Sequence, residues 1–215
     1  MTEPYPNYSR AERLADGAIH VAGFISAVTG VSVMFAMWAL RMDGVTLAST
    51  IVYSAALLLM LGASGAYHLY AHTVARPILR RLDHAAIYVK IAGTFTPLSV
   101  FLGTAFGYVI LALVWVLALF GAVTKIMAKP GQINGGWLPY VALGWIGIAL
   151  FIPLIAIVPV ASLVLFLAGG LTYMAGVIFY AWESLRFANA IWHGFVAVAS
   201  ACFFMGIATA LSAGL

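Results

Sequence analysis

The sequence predicts an all-α fold, a polytopic membrane protein built as a seven-transmembrane helix bundle with its N-terminus inside and its C-terminus outside. Three observations carry this reading. Apolar residues fill 65% of the 215 positions and charged residues only 7%, with a mean hydropathy of +1.09, a composition that excludes an ordinary soluble domain. The apolar residues fall in runs of about 20, the length a helix needs to cross a bilayer. The Lys and Arg residues gather in alternate connections between those runs.

Taken in order, residues 1–17 are polar and mixed in charge, with Arg10, Glu12, Arg13 and Asp16. They read as a short cytoplasmic tail, and residues 18–215 as one seven-helix domain. The first span covers 18–40. It is too long for the apolar core of a cleaved signal and no small-residue cleavage site follows it, so it is expected to remain. Arg41-Met42-Asp43-Gly44 makes a short turn into the second span, 47–70, and the third covers 84–102. Gly103 and Gly107 bracket a tight turn into the fourth, which ends near residue 123, and 125–136 is a polar, glycine-containing loop. Trp137 and Tyr140 supply an interfacial aromatic anchor for the fifth span, which ends near residue 157 between Pro153 and Pro159. The sixth ends near residue 182, and the seventh covers 189–211. The single Cys202 lies in that last run, which excludes an internal disulfide and reads as a small packing residue.

Orientation follows from the cations. Arg10, Arg13, Arg76, Arg80, Arg81, Lys125, Lys129 and Arg186 fall on one side, Arg41 alone on the other, and Lys90 inside a span. Positive charge marks the cytoplasmic side, and the expected location is the plasma (inner) membrane, multi-pass. The net charge of +4 is therefore a topology signal. No basic patch is interleaved with exposed aromatics, so membrane lipids and not nucleic acid are the expected partners.

Ionisable groups inside spans are costly and face a bundle interior, a cavity or each other, so each is a functional candidate. Asp83, Lys90 and Thr94 share one face of the third helix. Lys90 lies about 10 Å along the helix from Asp83, where its ammonium is a candidate charge partner for the carboxylate, directly or through water. Asp83 alternatively caps the third helix at its positive end. Ser64 and His68 are four apart near the end of the second span, and Asn189 and His193 are four apart at the start of the seventh, so each pair shares a face. The topology brings Ser64, His68, Asp83, Asn189 and His193 to one depth just inside the cytoplasmic leaflet. Imidazoles and a carboxylate converging from different helices suit a zinc site. His20, His72 and His84, at helix ends, read as interfacial or hydrogen-bonded residues. Pro97 with Thr94 and Thr96 reads as a kink whose backbone is satisfied locally.

Three stretches carry a family resemblance: Ser64-x3-His68; Leu-Asp-His-Ala-Ala-Ile-Tyr with Ile-Ala-Gly-Thr-Phe-Thr-Pro; and Ala-Ile-Trp-His-Gly-Phe-Val. They resemble the hemolysin III family, bacterial relatives of the progestin and adiponectin receptors (PAQR) and, more distantly, of alkaline ceramidases. The resemblance covers nearly the whole chain, including Gly17-Ala-Ile-His20. It implies a zinc ion near the cytoplasmic side with His68 and His193 as ligands, Asp83 holding the zinc water, and Ser64 as a supporting hydrogen-bond partner. Where the family pattern has the first His of an H-x3-H pair, this chain has Asn189. An amide oxygen is a weak zinc ligand, so affinity is expected to fall unless Asp83 or another group enters the ligand set.

Two functions of different class follow. One is a membrane protein that acts on or senses membrane lipids and regulates membrane state, with the polar cluster as a tie or ligand pocket. The other is a zinc-dependent lipid amide or ester hydrolase, with Asp83 and Ser64 as its catalytic groups. The family name adds a haemolytic or pore-forming activity, for which seven apolar helices offer no evident wide polar lumen.

Overall fold

The computed structural model describes residues 8–129, 136–182 and 184–214. Residues 130–135, half of the predicted loop at 125–136, and residues 1–7 of the predicted tail lie outside the described residues. Among the described residues the chain forms eight α-helices: α1 (Arg10–Trp38), α2 (Gly44–Leu69), α3 (Arg76–Leu102), α4 (Ala105–Met127), α5 (Leu138–Trp145), α6 (Gly147–Leu154), α7 (Val160–Ala181) and α8 (Ala188–Ser212). Six of them, α1 to α4 with α7 and α8, are long and apolar enough to cross a membrane. The chain is a multi-pass helical membrane protein.

Local chemistry sets the helix starts. Ser9 and Glu12 form a capping box ahead of α1: the Ser9 Oγ accepts from the Glu12 amide, and the Glu12 carboxylate accepts from the Ser9 amide at 2.9 Å. This starts the helix at Arg10, so part of the expected tail is helical. Asp43 caps α2 by accepting from the Thr46 amide at 2.7 Å, a bond that holds its carboxyl below the usual range. α3 begins at Arg76 and not near residue 84, because Pro77 in its first turn fits the helical φ where no amide donor is needed. Asp83 is therefore two turns inside α3, and the reading of it as a helix cap is corrected. Gly103 takes φ +62° to end α3, a conformation glycine adopts without steric cost.

The predicted fifth span is the main departure. Residues 138–154 form two eight-residue helices, α5 and α6, that meet at Ile146. Pro153 lies inside α6, and the 17 residues from Leu138 to Leu154 rise about 26 Å as a helix, at the lower limit for crossing the hydrocarbon core. Tyr140 packs inward, donating to the His84 carbonyl at 3.3 Å with its ring 4.5 Å from that of Tyr88. Tyr140 thus packs α5 against α3.

α3 is the most buried helix, packed by α2 on one side, by α4 on another and by α5 and α6. At Gly93 an added Cβ would stand 2.5 Å from the Ala56 Cβ, so glycine permits the close α2–α3 approach that membrane helices use. α7 pairs with α8, and α1 lies between α2 and α8. The cluster-bearing ends of α1, α2 and α8 are thus neighbours. Thr94 and Thr96 return their hydroxyls to the Lys90 and Ala92 carbonyls one turn back, as expected beside Pro97. Cys202 is a partly buried free thiol.

Candidate metal centre

Four side chains from three helices converge at one end of the bundle. α1 supplies Asp16 and His20, four residues apart on one face; α2 supplies His68; α8 supplies His193. One ligand atom from each lies within 4.8 Å of all the others. The Asp16 carboxylate is the hub, with Oδ2 2.7 Å from His68 Nδ1 and Oδ1 3.0 Å from His193 Nδ1. The His20 Nδ1 donates to the Asp16 carbonyl at 2.8 Å. That carbonyl only accepts, so the Nδ1 carries the proton and leaves Nε2 as an acceptor for the Ser64 hydroxyl at 3.3 Å. The three imidazole centroids are 4.2 to 4.7 Å apart.

Asp16 and His20 are both nearly buried, at 9% and 7% exposure. Burying a carboxylate is costly unless charge or hydrogen bonds compensate it, and here two imidazole N–H groups do so. Three imidazole nitrogens and one carboxylate oxygen also match the donor preferences of zinc. Tetrahedral zinc wants its ligand atoms about 3.4 Å apart, given bonds near 2.1 Å. The spacing of this cluster brackets that value, so the residues present fit the ion.

The residues expected from sequence fall in different places. His68 and His193 are in the cluster, and Ser64 is buried against His20. Asp83 is buried beside the cluster, within electrostatic range of His68 and His193, but it is not among the four converging groups. Its Oδ2 lies 3.4 Å from His84 Nδ1, longer than a good hydrogen bond. Asn189 is at the mouth, where its side chain bonds the Tyr8 hydroxyl, whose pKa burial pushes up. Lys90 forms no ion pair with Asp83 and donates instead to the Tyr173 hydroxyl of α7 at 2.8 Å.

Asp16 and His20 were missed as site residues. Asp16 read as a tail charge and His20 as an interfacial imidazole, yet Asp16-x3-His20 has the same i, i+4 spacing as Ser64-x3-His68 and Asn189-x3-His193. What places them is the early start of α1. It is reinforced at the far side of the site, where the Glu12 Oε1 accepts from the Phe187 amide at 3.2 Å. Phe187 has φ +62°, a left-handed conformation unusual for a bulky residue, and the turn it makes opens α8 over the cluster.

Two small cavities flank the group. One, of about 60 Å³, is lined by Tyr8, Glu12, Asp16, His68 and Asn189. The other, of about 20 Å³, is lined by His20, Ser64 and His193 with Met60 and Val196. The cluster therefore stands between a polar mouth and an apolar slot.

Comparison with known proteins agrees with the sequence motifs. Residues 9–204 match the family described as Haemolysin-III related. The chain is 34% identical over 195 residues to "Hemolysin-3 homolog" of Bacillus subtilis (strain 168), covering 90% of this chain and 91% of that protein. It is 33% identical over 194 residues to "Hemolysin-3" of Bacillus cereus, covering 90% and 89%. With its helical bundle, its motifs and this near full-length match in agreement, the chain belongs to the hemolysin III family.

Proposed function

We propose that this protein binds zinc through Asp16, His20, His68 and His193, and that it senses or acts on membrane lipids from that centre to regulate membrane state. The observation that carries the reading is the position of Asp16. Its carboxylate contacts both His68 and His193 and so supplies a fourth strong donor where the motif at 189 has only an amide. Bound zinc supplies Lewis acidity to a carbonyl or water beside it. The chain's own groups do the rest. Ser64 lies against His20, Asp83 supplies a buried carboxyl group nearby, and Met60 and Val196 line the small void beside them.

Four protein donors complete a tetrahedral zinc shell, which is the pattern of structural centres, whereas catalytic centres keep a position open. This favours a lipid-responsive tie between α1, α2 and α8 over hydrolysis. The hydrolase remains the second reading because Asp83 and Ser64 lie buried at the cluster without belonging to it. In this proposal the cluster faces the cytoplasm in the inner membrane, α5 and α6 together make the fifth of seven crossings, and the C-terminus lies outside.

Metal analysis of the purified protein is the test. Wild type should carry close to one equivalent of zinc and the His68→Ala, His193→Ala double variant almost none. Zinc missing from wild type would end the metal reading. Turnover of a lipid amide by wild type, lost in Asp83→Ala with zinc retained, would move the assignment to the hydrolase. A C-terminal reporter reading as cytoplasmic would overturn the orientation.

A further inference from the structure

We propose that Lys90, Tyr173 and Ser200 form a proton-exchange centre in the middle of the membrane, through which this protein carries protons across the bilayer. The centre is separate from the metal cluster and uses none of its residues.

Lys90 is near the midpoint of α3 and only 5% exposed. Among the described residues no carboxylate forms an ion pair with it. Its Nζ donates to the Tyr173 hydroxyl at 2.8 Å, and that hydroxyl lies 2.8 Å from the Ser200 Oγ. The rings of Tyr173 and Phe203 approach the same Nζ, with centroids at 4.6 and 5.1 Å. Ionisable residues so deep in a membrane protein mark relays and ion pathways. The partners of this amine are therefore a neutral hydroxyl and two ring faces. The aromatic rings crowd the space around it, so the species that the site can handle is as small as a proton.

The hydroxyl chain can run in either direction. With Lys90 charged, its N–H points to the Tyr173 oxygen and the Tyr173 O–H points to Ser200. In one transfer the Lys90 N–H bond breaks as a new Tyr173 O–H bond forms. Tyr173 passes its own proton to the Ser200 oxygen, and the Ser200 proton leaves to water. One proton has left the amine and one has been released at the serine, with both hydroxyls neutral before and after. The amine is then neutral and accepts from Tyr173, and it takes up its next proton from water on the other side.

Polar groups continue the line on both sides. The Tyr53 side chain on α2 is completely buried, its hydroxyl has no partner, and it is within electrostatic range of Tyr173. One turn and two turns further along the same face are the buried hydroxyls of Thr50 and Thr46. Toward the metal cluster, Asp83 lies two turns from Lys90 on α3, about 10 Å of rise. The titratable groups around Lys90 are thus Tyr53 from α2 and Tyr173 from α7, with Asp83 on the same face of its own helix; α8 offers Ser200 and Phe203.

The test is proton flux into phosphatidylcholine–phosphatidylglycerol vesicles that contain the purified full-length protein and a pH-sensitive dye, driven by a potassium diffusion potential. Wild type should acidify the lumen faster than protein-free vesicles. Lys90→Met should lower that flux by about a hundredfold, the scale of a positioned proton-transfer group. Lys90→Arg should fall as far, because arginine keeps its proton, and Tyr173→Phe should slow it by breaking the chain. Thermal melting in detergent checks that each variant is folded, and if Lys90→Met is not, the Arg and Phe variants decide. Wild-type flux equal to that of empty vesicles, or full flux in the folded Lys90 variants, overturns the proposal.

Discussion

The Asp16 carboxylate meets the His68 imidazole at 2.7 Å across the boundary between α1 and α2. This contact joins a residue of the predicted tail to a predicted ligand, and it sets the expectations for the site.

Replacing Asp16 by Ala should lower zinc affinity by at least about tenfold to a hundredfold, the loss typical of even a supporting group in a zinc site. It also leaves His68 and His193 without their common acceptor. Calorimetric zinc titration of the variant against wild type measures the change. Equal affinities would place the carboxylate outside the metal's influence.

Asn189→His alone should change zinc affinity by less than that about tenfold step, because Asp16 already occupies the place beside His193 and the side chain at 189 is engaged with Tyr8. In the Asp16→Ala background the same substitution should restore binding, since residues four apart present two imidazoles to one point. Titrations of the single and double variants separate these outcomes. Strong tightening by Asn189→His in the wild-type background would show that the shell lacks a donor.

Lys90→Met should leave the melting temperature unchanged or raise it, because an apolar side chain of similar volume removes the cost of burying a charge. A carboxylate paired with Lys90 would instead be stranded and the protein destabilised. Tyr173 keeps its bond to Ser200 in the variant, so no hydroxyl is orphaned. Thermal unfolding in detergent distinguishes gain from loss.

Gly93→Ala should destabilise the bundle by about 1–3 kcal/mol, as overpacking does, since its Cβ would press on the Ala56 Cβ at 2.5 Å. Pairing it with Ala56→Gly should recover much of the loss. Melting curves of the single and double variants provide the check, and additive losses would mean that the two positions do not touch.

The sequence by itself determined the class, most helices and half the site. Hydrophobic run length fixes spans because lipid leaves no backbone group unsatisfied outside a helix, and i, i+4 spacing fixes which side chains share a face. That made His68 and His193 legible, together with the depth they share. It did not reveal Asp16, because the capping box of Ser9 and Glu12 starts α1 earlier than hydropathy suggests and carries a charged residue into the helical register. It did not reveal the partner of Lys90, because the choice between Asp83, two turns away on the same helix, and Tyr173, on another helix, depends on how α3 stands against α7 and α8. Nor did it reveal the break between α5 and α6, since periodicity cannot distinguish one span from two short helices end to end. Spacing along a helix is a property of the chain. Which helices adjoin, and so which donors meet, is a property of packing, and only the tertiary structure decided that Asp16 and His20 complete the cluster.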